Sequence, residues 1–221
     1  MILPKTEALL DLKHTIAAEL FGAVSSPHEV LPFIKDFIIK LTRELDPKRF
    51  SEIKGGVFVS HSAEISDKAT LIGPSVICEN AKIRQGAFIR GGALIGAGAV
   101  IGNSSEIKNS IIFDGAELPH YNYVGDSVIG YKAHLGAGAV ISNLKLDQTS
   151  VKIKSCGASI ETGLRKFGAI VGDLSQIGCN SVVFPGSFIG RECIVYPLTS
   201  VRGILPERSI LRNDGTVAKR E

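Results

Sequence analysis

Arg90 and Lys108 are the two residues whose type and spacing point most clearly to a binding site. Each follows an isoleucine, and 18 residues separate them. If the chain repeats in coils of 18 residues, both side chains occupy the same position on adjacent layers, about 5 Å apart at the backbone. Like charges so placed repel unless an anion or a carboxylate lies between them, and a phosphate suits both an arginine and a lysine. A solvated surface pair with Glu106 as counter-ion is the alternative interpretation.

A histidine, His120, is the candidate for proton transfer because its unperturbed pKa lies near neutral pH. It lies in the segment ELPHYNYVGD, residues 117–126, close to Tyr121 and Tyr123. The segment interrupts a regular repeat, which favours a role at a binding surface. An ordinary loop histidine is the alternative interpretation.

A six-residue repeat predicts the scaffold that positions these residues. Every sixth residue is aliphatic, and the residue four positions later is alanine or serine. The aliphatic series is Val59, Ile65, Leu71, Ile77, Ile83, Ile89, Ile95, Ile101 and Ile107. The register returns at Tyr123, Ile129, Leu135 and Ile141, and again from Val171 to Val201. Such a period is typical of a parallel β-helix in which three hexapeptides form a triangular coil with the aliphatic residues inside. The sequence therefore predicts a mainly β protein with a β-helix over residues 57–205.

The flanking segments and the breaks in the repeat complete the predicted organisation. Residues 1–56 are predicted to be helical, with Ser26, Pro27 and Glu29 as a helix-start signal. We expect this α-helical cap to cover an open end of the β-helix. Residues 206–221 form a C-terminal tail. Breaks near residues 118–122 and 144–166 predict inserted loops, which in repeat proteins often lie on the binding face.

Composition excludes several classes of protein. The chain has 221 residues, 44% of them hydrophobic and 21% charged, as expected of a folded protein. It has no run of 18 apolar residues and no secretory signal pattern, so we expect no membrane association and a cytoplasmic location. A net charge of +3 without a dense basic cluster does not favour nucleic acid. The cysteines form no CxxC pair, so zinc and disulfides are not expected; they are Cys78, Cys156, Cys179 and Cys193.

The stretch from about Ile83 to Asn143 resembles the acetyltransferase domain of the bifunctional UDP-N-acetylglucosamine pyrophosphorylase/glucosamine-1-phosphate N-acetyltransferases. The matching strings are IRGGA (89–93), IGNSSEIKNS (101–110), PHYNYVGD (119–126) and LGAGAVISN (135–143). ETGLRKFGAIVGD (161–173) and PGSFIG (185–190) are more similar to archaeal-type sugar-1-phosphate nucleotidylyltransferases with an acetyltransferase tail. The resemblance implies a hexapeptide-repeat acyltransferase: a left-handed β-helix, acetyl-CoA as co-substrate, no metal, and a homotrimer with sites between neighbouring copies.

The resemblance also implies roles for individual residues. His120 matches the general base that deprotonates the sugar amine. The positions that match contacts to the substrate are Arg90, Lys108, Tyr123, His134 and Glu106. Those that match contacts to acetyl-CoA are Ala137, Asn143 and Cys179.

This sequence departs from the bacterial pattern at three points. His134 stands where that family has a sugar-binding asparagine, and Leu144 follows Asn143 where it has a tyrosine. A family lysine has no fixed counterpart, so Lys152, Lys154 and Lys166 remain alternatives. Residues 1–56 contain no glycine-rich nucleotide loop, so uridylyl transfer would need a separate nucleotidylyltransferase as partner.

The sequence predicts an acetyl-CoA-dependent N-acetyltransferase whose acceptor is an amino-sugar phosphate, with glucosamine-1-phosphate favoured. Three other interpretations stay open. They are an acyltransferase with another amino-sugar acceptor or acyl donor, a non-catalytic β-helix that binds a sugar nucleotide or a partner protein, and a zinc enzyme of the γ-carbonic anhydrase type using His61, His120 and His134.

Overall fold

A parallel β-helix forms most of the protein, as seen in a computed structural model that describes residues 3–155 and 158–221. Its coils have three faces. The first face contains the strands Val57–Ser60, Ser75–Ile77, Ala93–Ile95, Ala169–Val171, Ser187–Ile189 and Ile204–Leu205. The second contains Glu64–Ile65, Lys82–Ile83, Val100–Asn103, Glu117–His120, His134–Leu135, Gln176–Ile177, Ile194–Val195 and Ser209–Leu211. The third contains Thr70–Leu71, Phe88–Ile89, Val140–Ile141, Val182–Val183 and Ser200–Val201. Two longer strands, Glu106–Ile112 and Tyr123–Ile129, run from the third face onto the first.

The interior of the β-helix is filled as the repeat predicts. Aliphatic residues such as Ile83, Ile101 and Ile107 are fully buried, with small residues such as Ala99 and Ser105 beside them. Stacked layers pair in parallel, for example Ile77 with Ile95. The prediction of a mainly β protein built as a parallel β-helix is therefore confirmed. The left-handed coiling implied by the resemblance stays a prediction.

The prediction of an inserted loop near residues 118–122 is wrong. Leu118 is buried in the interior, and His120 ends a strand and pairs with Asn103 on the layer before it. The repeat loses its register here because two coils are shortened rather than lengthened: Ile95, Ile112 and Ile129 occupy equivalent positions 17 residues apart.

The shortening occurs at the turn from the third face to the first. The strands Glu106–Ile112 and Tyr123–Ile129 pass straight around it, with Asn109 and Asp126 in the left-handed region at φ 44° and 49°. As a consequence Val124 points inward, and Tyr123, which the repeat assigned to the interior, faces outward half-buried.

The second predicted insertion is present between Asn143 and Phe167. Val171 pairs with Ile129 although 42 residues separate them. The extra chain contains an antiparallel hairpin formed by the strands Lys152–Ser155 and Ala158–Glu161, here called the insertion hairpin. Cys156 lies outside the described residues. Cys78 and Cys193 are buried and Cys179 is exposed, and all three are free thiols.

The N-terminal region is helical only as far as residue 42. Its helices are short, and extended residues at Leu10 and Thr15 separate the first of them. The α-helices are Thr6–Leu9, Ala18–Gly22 and Ile34–Thr42, and the 3₁₀ helices are Leu12–His14 and Pro27–Phe33. Ser26 and Glu29 form the expected capping box. No helix among the described residues is long and apolar enough to span a membrane.

This helical cap lies along the outside of the first face and not over an open end as expected. Leu31, Ile34 and Ile38 are fully or almost fully buried against an apolar stripe that crosses six layers. The stripe consists of Val76, Leu94, Ile111, Val128, Ile170 and Phe188. Covering this stripe removes its apolar area from water, which stabilises the fold by about 25 cal/mol per Å² buried.

Antiparallel strands, not helices, flank the ends of the β-helix. Phe50–Lys54 pairs antiparallel with Val57–Ser60, and Val217–Lys219 pairs antiparallel with Ser209–Leu211. Both boundaries of the predicted domains therefore shift: the region 1–56 includes a strand, and the β-helix continues to Leu211 inside the expected tail.

A buried histidine makes the packing of the helical cap sensitive to pH. His28 stacks near Phe167 and lies edge-on to Phe188, and its Nδ1 is 3.0 Å from Ser26 Oγ. Burial lowers the pKa of His28 below its usual value, partly offset by the charge of Glu29.

We expect acid to weaken this packing selectively. The neutral ring's contribution to stability is fully present above about pH 6.5 and is lost as pH falls through the lower folded-state pKa, because the unfolded chain binds the proton more tightly. Urea unfolding between pH 5 and 8 should therefore show a steeper acid loss for the wild type than for His28→Phe. Parallel pH profiles of the two proteins would contradict this.

Candidate active site

The candidate residues gather around the outer surface of the third face. Glu106 and Tyr123 are cross-strand neighbours there, each next to a residue that points inward. A corner of the β-helix bounds this surface on either side. The "cation edge", between the third and first faces, carries one residue per layer: Arg90, Lys108, Gly125, Ser142, Phe184 and Arg202. The "histidine edge", between the second and third faces, carries His120, Ala137 and Cys179 on three successive layers.

Arg90 and Lys108 lie one layer apart on the cation edge, as their spacing predicts. The prediction is a single anion or carboxylate between the two cations, whereas in the structure each cation has a carboxylate of its own. Arg90 Nη1 donates to Glu106 Oε1 at 2.6 Å, and Lys108 Nζ lies 3.4 Å from Asp126 Oδ2. The hydrogen bond and charge of Glu106 raise the pKa of the Arg90 guanidinium. Both cations are thus held in place while 43% and 25% of their side chains stay exposed to a ligand.

Asp126 organises this edge, and the sequence analysis missed it. It is 5% exposed and accepts hydrogen bonds from the side-chain amides of Asn109, at 2.8 Å, and Asn143. Asn109, Asp126 and Asn143 lie 17 residues apart, which is one shortened coil. That spacing is the signal that could have found the cluster, but only if the 17-residue coils had been recognised.

Tyr123 presents a protonated hydroxyl to the same surface. Burial raises the pKa of Tyr123, and the charges of Glu106 and Asp126 raise it further. A Cβ added to Gly125 would lie 2.6 Å from both Tyr123 Oη and Asn143 Nδ2. The two polar groups therefore converge above the bare backbone of Gly125, where they are available to a polar ligand.

His120 is exposed on the histidine edge, and its backbone is firmly held. Its N–H donates to Asn122 Oδ1 at 3.1 Å, and its carbonyl accepts from Gly138 N at 3.0 Å. Asn122 is 2% exposed and donates to the Gly136 carbonyl, which ties the turn after His120 to the next layer. The imidazole is thus placed at the border of the third face by rigid backbone.

Two backbone amides on the histidine edge are free to bind a ligand. The amides of Gly136 and Gly138 donate to the carbonyls of Ile177 and His120. In the described part of the chain, the amides of Ala137 and Cys179 have no hydrogen-bond partner. They lie on successive layers beyond His120, at positions predicted to contact acetyl-CoA.

His134 is not brought to this surface. It points outward on the second face, where its Nδ1 lies 3.0 Å from Glu117 Oε2. His61 is also distant, hydrogen-bonded to Ser51 on the N-terminal hairpin. Among the described residues no group of three or more His, Cys, Asp or Glu side chains is arranged to hold a metal ion, so nothing here supports the zinc alternative.

The cluster around Asp126 yields a stability prediction. Asp126→Asn replaces one acceptor oxygen by an NH2 donor, which then faces either the side-chain amide of Asn109 or both that of Asn143 and the Lys108 ammonium. We expect the free energy of unfolding to fall by about 1–3 kcal/mol, the usual effect of a buried hydrogen-bonding mismatch. Urea unfolding would measure it, with Asp67→Asn, an exposed corner aspartate, as the control expected within about 0.5 kcal/mol of the wild type. An equal effect of the two substitutions would contradict the assignment.

Comparison with known proteins finds similarity in the part of the chain that contains most of the candidate residues. Residues 71–165 match a family model described as the GMPPB C-terminal domain. The chain is 42% identical over 90 residues to a bifunctional sugar-1-phosphate nucleotidylyltransferase/acetyltransferase of Sulfurisphaera tokodaii, covering 41% of this chain and 22% of that protein. It is 36% identical over 94 residues to the bifunctional protein GlmU of Methanococcus maripaludis, covering 40% and 23%.

A solved structure is also similar in part. The acetyltransferase domain of PglB from Neisseria gonorrhoeae, in complex with acetyl coenzyme A, is 15% identical with a TM-score of 0.34, covering 73% of this chain and 56% of that chain.

The fold and the matched region define a β-helix of hexapeptide repeats that is similar to part of a bifunctional sugar-1-phosphate nucleotidylyltransferase/acetyltransferase and to part of GlmU. The resemblance predicted from the sequence is therefore confirmed. The alignments cover less than a quarter of each curated relative, so the activity, substrates and partners of this chain are proposals.

Proposed function

We propose that this chain is an acetyl-CoA-dependent N-acetyltransferase whose acceptor is an amino-sugar phosphate, most favourably glucosamine-1-phosphate. One observation carries the proposal. An exposed histidine and a pair of cations flank the same outer surface of the third face, within residues 71–165, which match the family model of the GMPPB C-terminal domain.

His120 acts as general base in the proposed reaction. The acceptor's ammonium loses its proton to the imidazole as the nitrogen attacks the thioester carbonyl. The tetrahedral oxyanion then needs a donor, and the free amide of Ala137, one layer beyond His120, supplies it. Collapse of the intermediate expels the CoA thiolate, which takes up the second proton lost by the nitrogen, and leaves the neutral N-acetyl product and free CoA, with no covalent enzyme intermediate.

Arg90 and Lys108 hold the acceptor's phosphate. Their side chains are already oriented by Glu106 and Asp126, so little conformational entropy is lost on binding. Anchoring the phosphate fixes the amine near His120, and this proximity accounts for part of the rate acceleration. Tyr123 offers a polar contact to the sugar between the two edges, and Asn143 beside it is assigned to acetyl-CoA.

The predicted homotrimer accounts for the position of His134. In one chain that residue lies on the second face, away from the remaining candidates. A neighbouring copy packed with its second face against this third face would bring His134 to the site. The trimer, and a separate nucleotidylyltransferase as a further partner, stay predictions.

Thiol release from acetyl-CoA tests the proposal. Purified protein is offered glucosamine-1-phosphate, glucosamine and other amino-sugar phosphates in parallel. We expect release that depends on glucosamine-1-phosphate. Release with a different amino sugar only would change the acceptor, and no release by folded protein with any acceptor would favour the non-catalytic interpretation.

A further inference from the structure

A cavity lined by cations lies where the inserted segment 144–166 meets the cation edge. Its volume is about 290 Å³, and Lys145, Lys152, Lys154 and Arg202 all line it. No acidic side chain is among the described residues that line it. The four cations come from the loop before the insertion hairpin, from the hairpin itself and from the β-helix.

The insertion hairpin delivers two of these cations by simple strand alternation. Val151 and Ile153 are fully buried in the apolar layer that also contains Phe167. Lys152 and Lys154 therefore point the opposite way, toward the cavity. The hairpin's inner side anchors it, and its outer side is free for a ligand.

Two glycines let the hairpin pack closely on the β-helix. A Cβ added to Gly203 would lie 2.7 Å from the carbonyl oxygen of Lys154, and one added to Gly186 would lie 3.1 Å from that of Lys152. Both glycines have positive φ, at 80° and 78°. The backbone of the two lysines is thus fixed against the corner turns, so close packing of the hairpin on the β-helix defines the cavity.

The positive charge of the cavity is only half compensated. Lys145 pairs with Asp147 at 3.1 Å and Lys152 pairs with Glu161. Neither Lys154 nor Arg202 has a carboxylate within 4 Å in the described part of the chain. The Arg202 Cζ instead lies 4.3 Å from the centroid of the Phe184 ring, a cation–π contact between two residues that line the cavity. Cations gathered in this way attract an anion.

The cavity also lies on the surface proposed to carry the reaction. Phe184 and Arg202 continue the cation edge three and four layers beyond Lys108. At about 4.8 Å per layer, Arg202 is about 19 Å from Lys108 along the edge. One extended ligand can therefore reach from the cavity to the candidate site.

We propose that this cavity binds the diphosphate group of a nucleotide ligand, with Lys154 and Arg202 as its principal contacts. The identity of the nucleotide rests on the proposed function: it belongs to the CoA donor or to a nucleotide sugar. The anion site itself does not depend on acetyl transfer.

Titration calorimetry of the full chain with inorganic pyrophosphate tests the site without any acceptor or turnover. We expect saturable binding that weakens as salt is raised, and Lys154→Gln and Arg202→Gln to weaken it about tenfold each. Arg165→Gln is the matched control, because it removes the same charge from the same insertion at an exposed residue that does not line the cavity. No binding by the wild type, or equal losses in all three variants, would overturn the proposal.

Titrations with CoA and with UDP-N-acetylglucosamine identify the source of the diphosphate. The ligand whose affinity falls in Lys154→Gln and Arg202→Gln, but not in Arg165→Gln, occupies the cavity. If pyrophosphate binding falls while neither nucleotide is affected, the assignment to nucleotide diphosphates is wrong. Pyrophosphate binding together with absent thiol release would leave the anion site standing and refute only the acetyltransferase.

Discussion

His120→Ala is expected to lower kcat for acetyl transfer by about 10²–10⁴-fold, the usual contribution of a general base. The amine attacks only as a free base, and in the variant bulk water must take its proton. The KM for acetyl-CoA should change little, because the amides proposed to bind the donor belong to the next layers. Initial rates of thiol release at saturating glucosamine-1-phosphate measure the effect.

Two controls separate proton transfer from damage to the fold. His61→Ala removes an exposed histidine on the N-terminal hairpin and should leave the rate unchanged. Imidazole added to the buffer should partly restore the rate of His120→Ala, because a free base can enter the space left by the ring. Full activity in His120→Ala, or an equal loss in both variants, would refute the assigned role.

The interior of the β-helix was predictable because each layer must fill the same space. A side chain that points inward packs against its counterpart one coil away, so the same type of residue recurs there, as Ile83 and Ile101 do. The stacking of Arg90 on Lys108 follows from the same rule. The sequence therefore predicted the scaffold and one pair of the candidate site.

The shortened coils were not predictable from the period, because a 17-residue coil resembles an insertion when a six-residue register is imposed. That error placed Tyr123 inside and left Asp126 unnoticed. The position of the helical cap was missed for another reason. Leu94 and Ile111 are apolar residues that precede an inward aliphatic residue, and this doublet marks the first face as covered. The period of the inward residues carries no information about such a cover, whereas the polarity of the outward residues does.

Arg90→Gln and Lys108→Gln should each lower kcat/KM for glucosamine-1-phosphate about 10–100-fold, with the larger effect for the less exposed Lys108. A hydrogen bond to a charged group contributes about 1.5–3 kcal/mol, and about 1.4 kcal/mol corresponds to tenfold. The double variant should lose about 10²–10⁴-fold, because each cation contacts the same phosphate. The loss should appear in both KM and kcat, since the contacts to the phosphate bind the acceptor and also hold its amine near His120.

The decisive comparison is between acceptors that differ only in the phosphate. Glucosamine lacks the group that these cations bind, so its kcat/KM should be nearly the same in the wild type and the double variant. The preference for glucosamine-1-phosphate over glucosamine should therefore collapse toward unity. Lys82→Gln, which breaks a surface pair with Glu64 on the second face, should preserve that preference. If kcat/KM falls equally for both acceptors in the double variant, Arg90 and Lys108 support the fold of the cation edge and do not bind the phosphate.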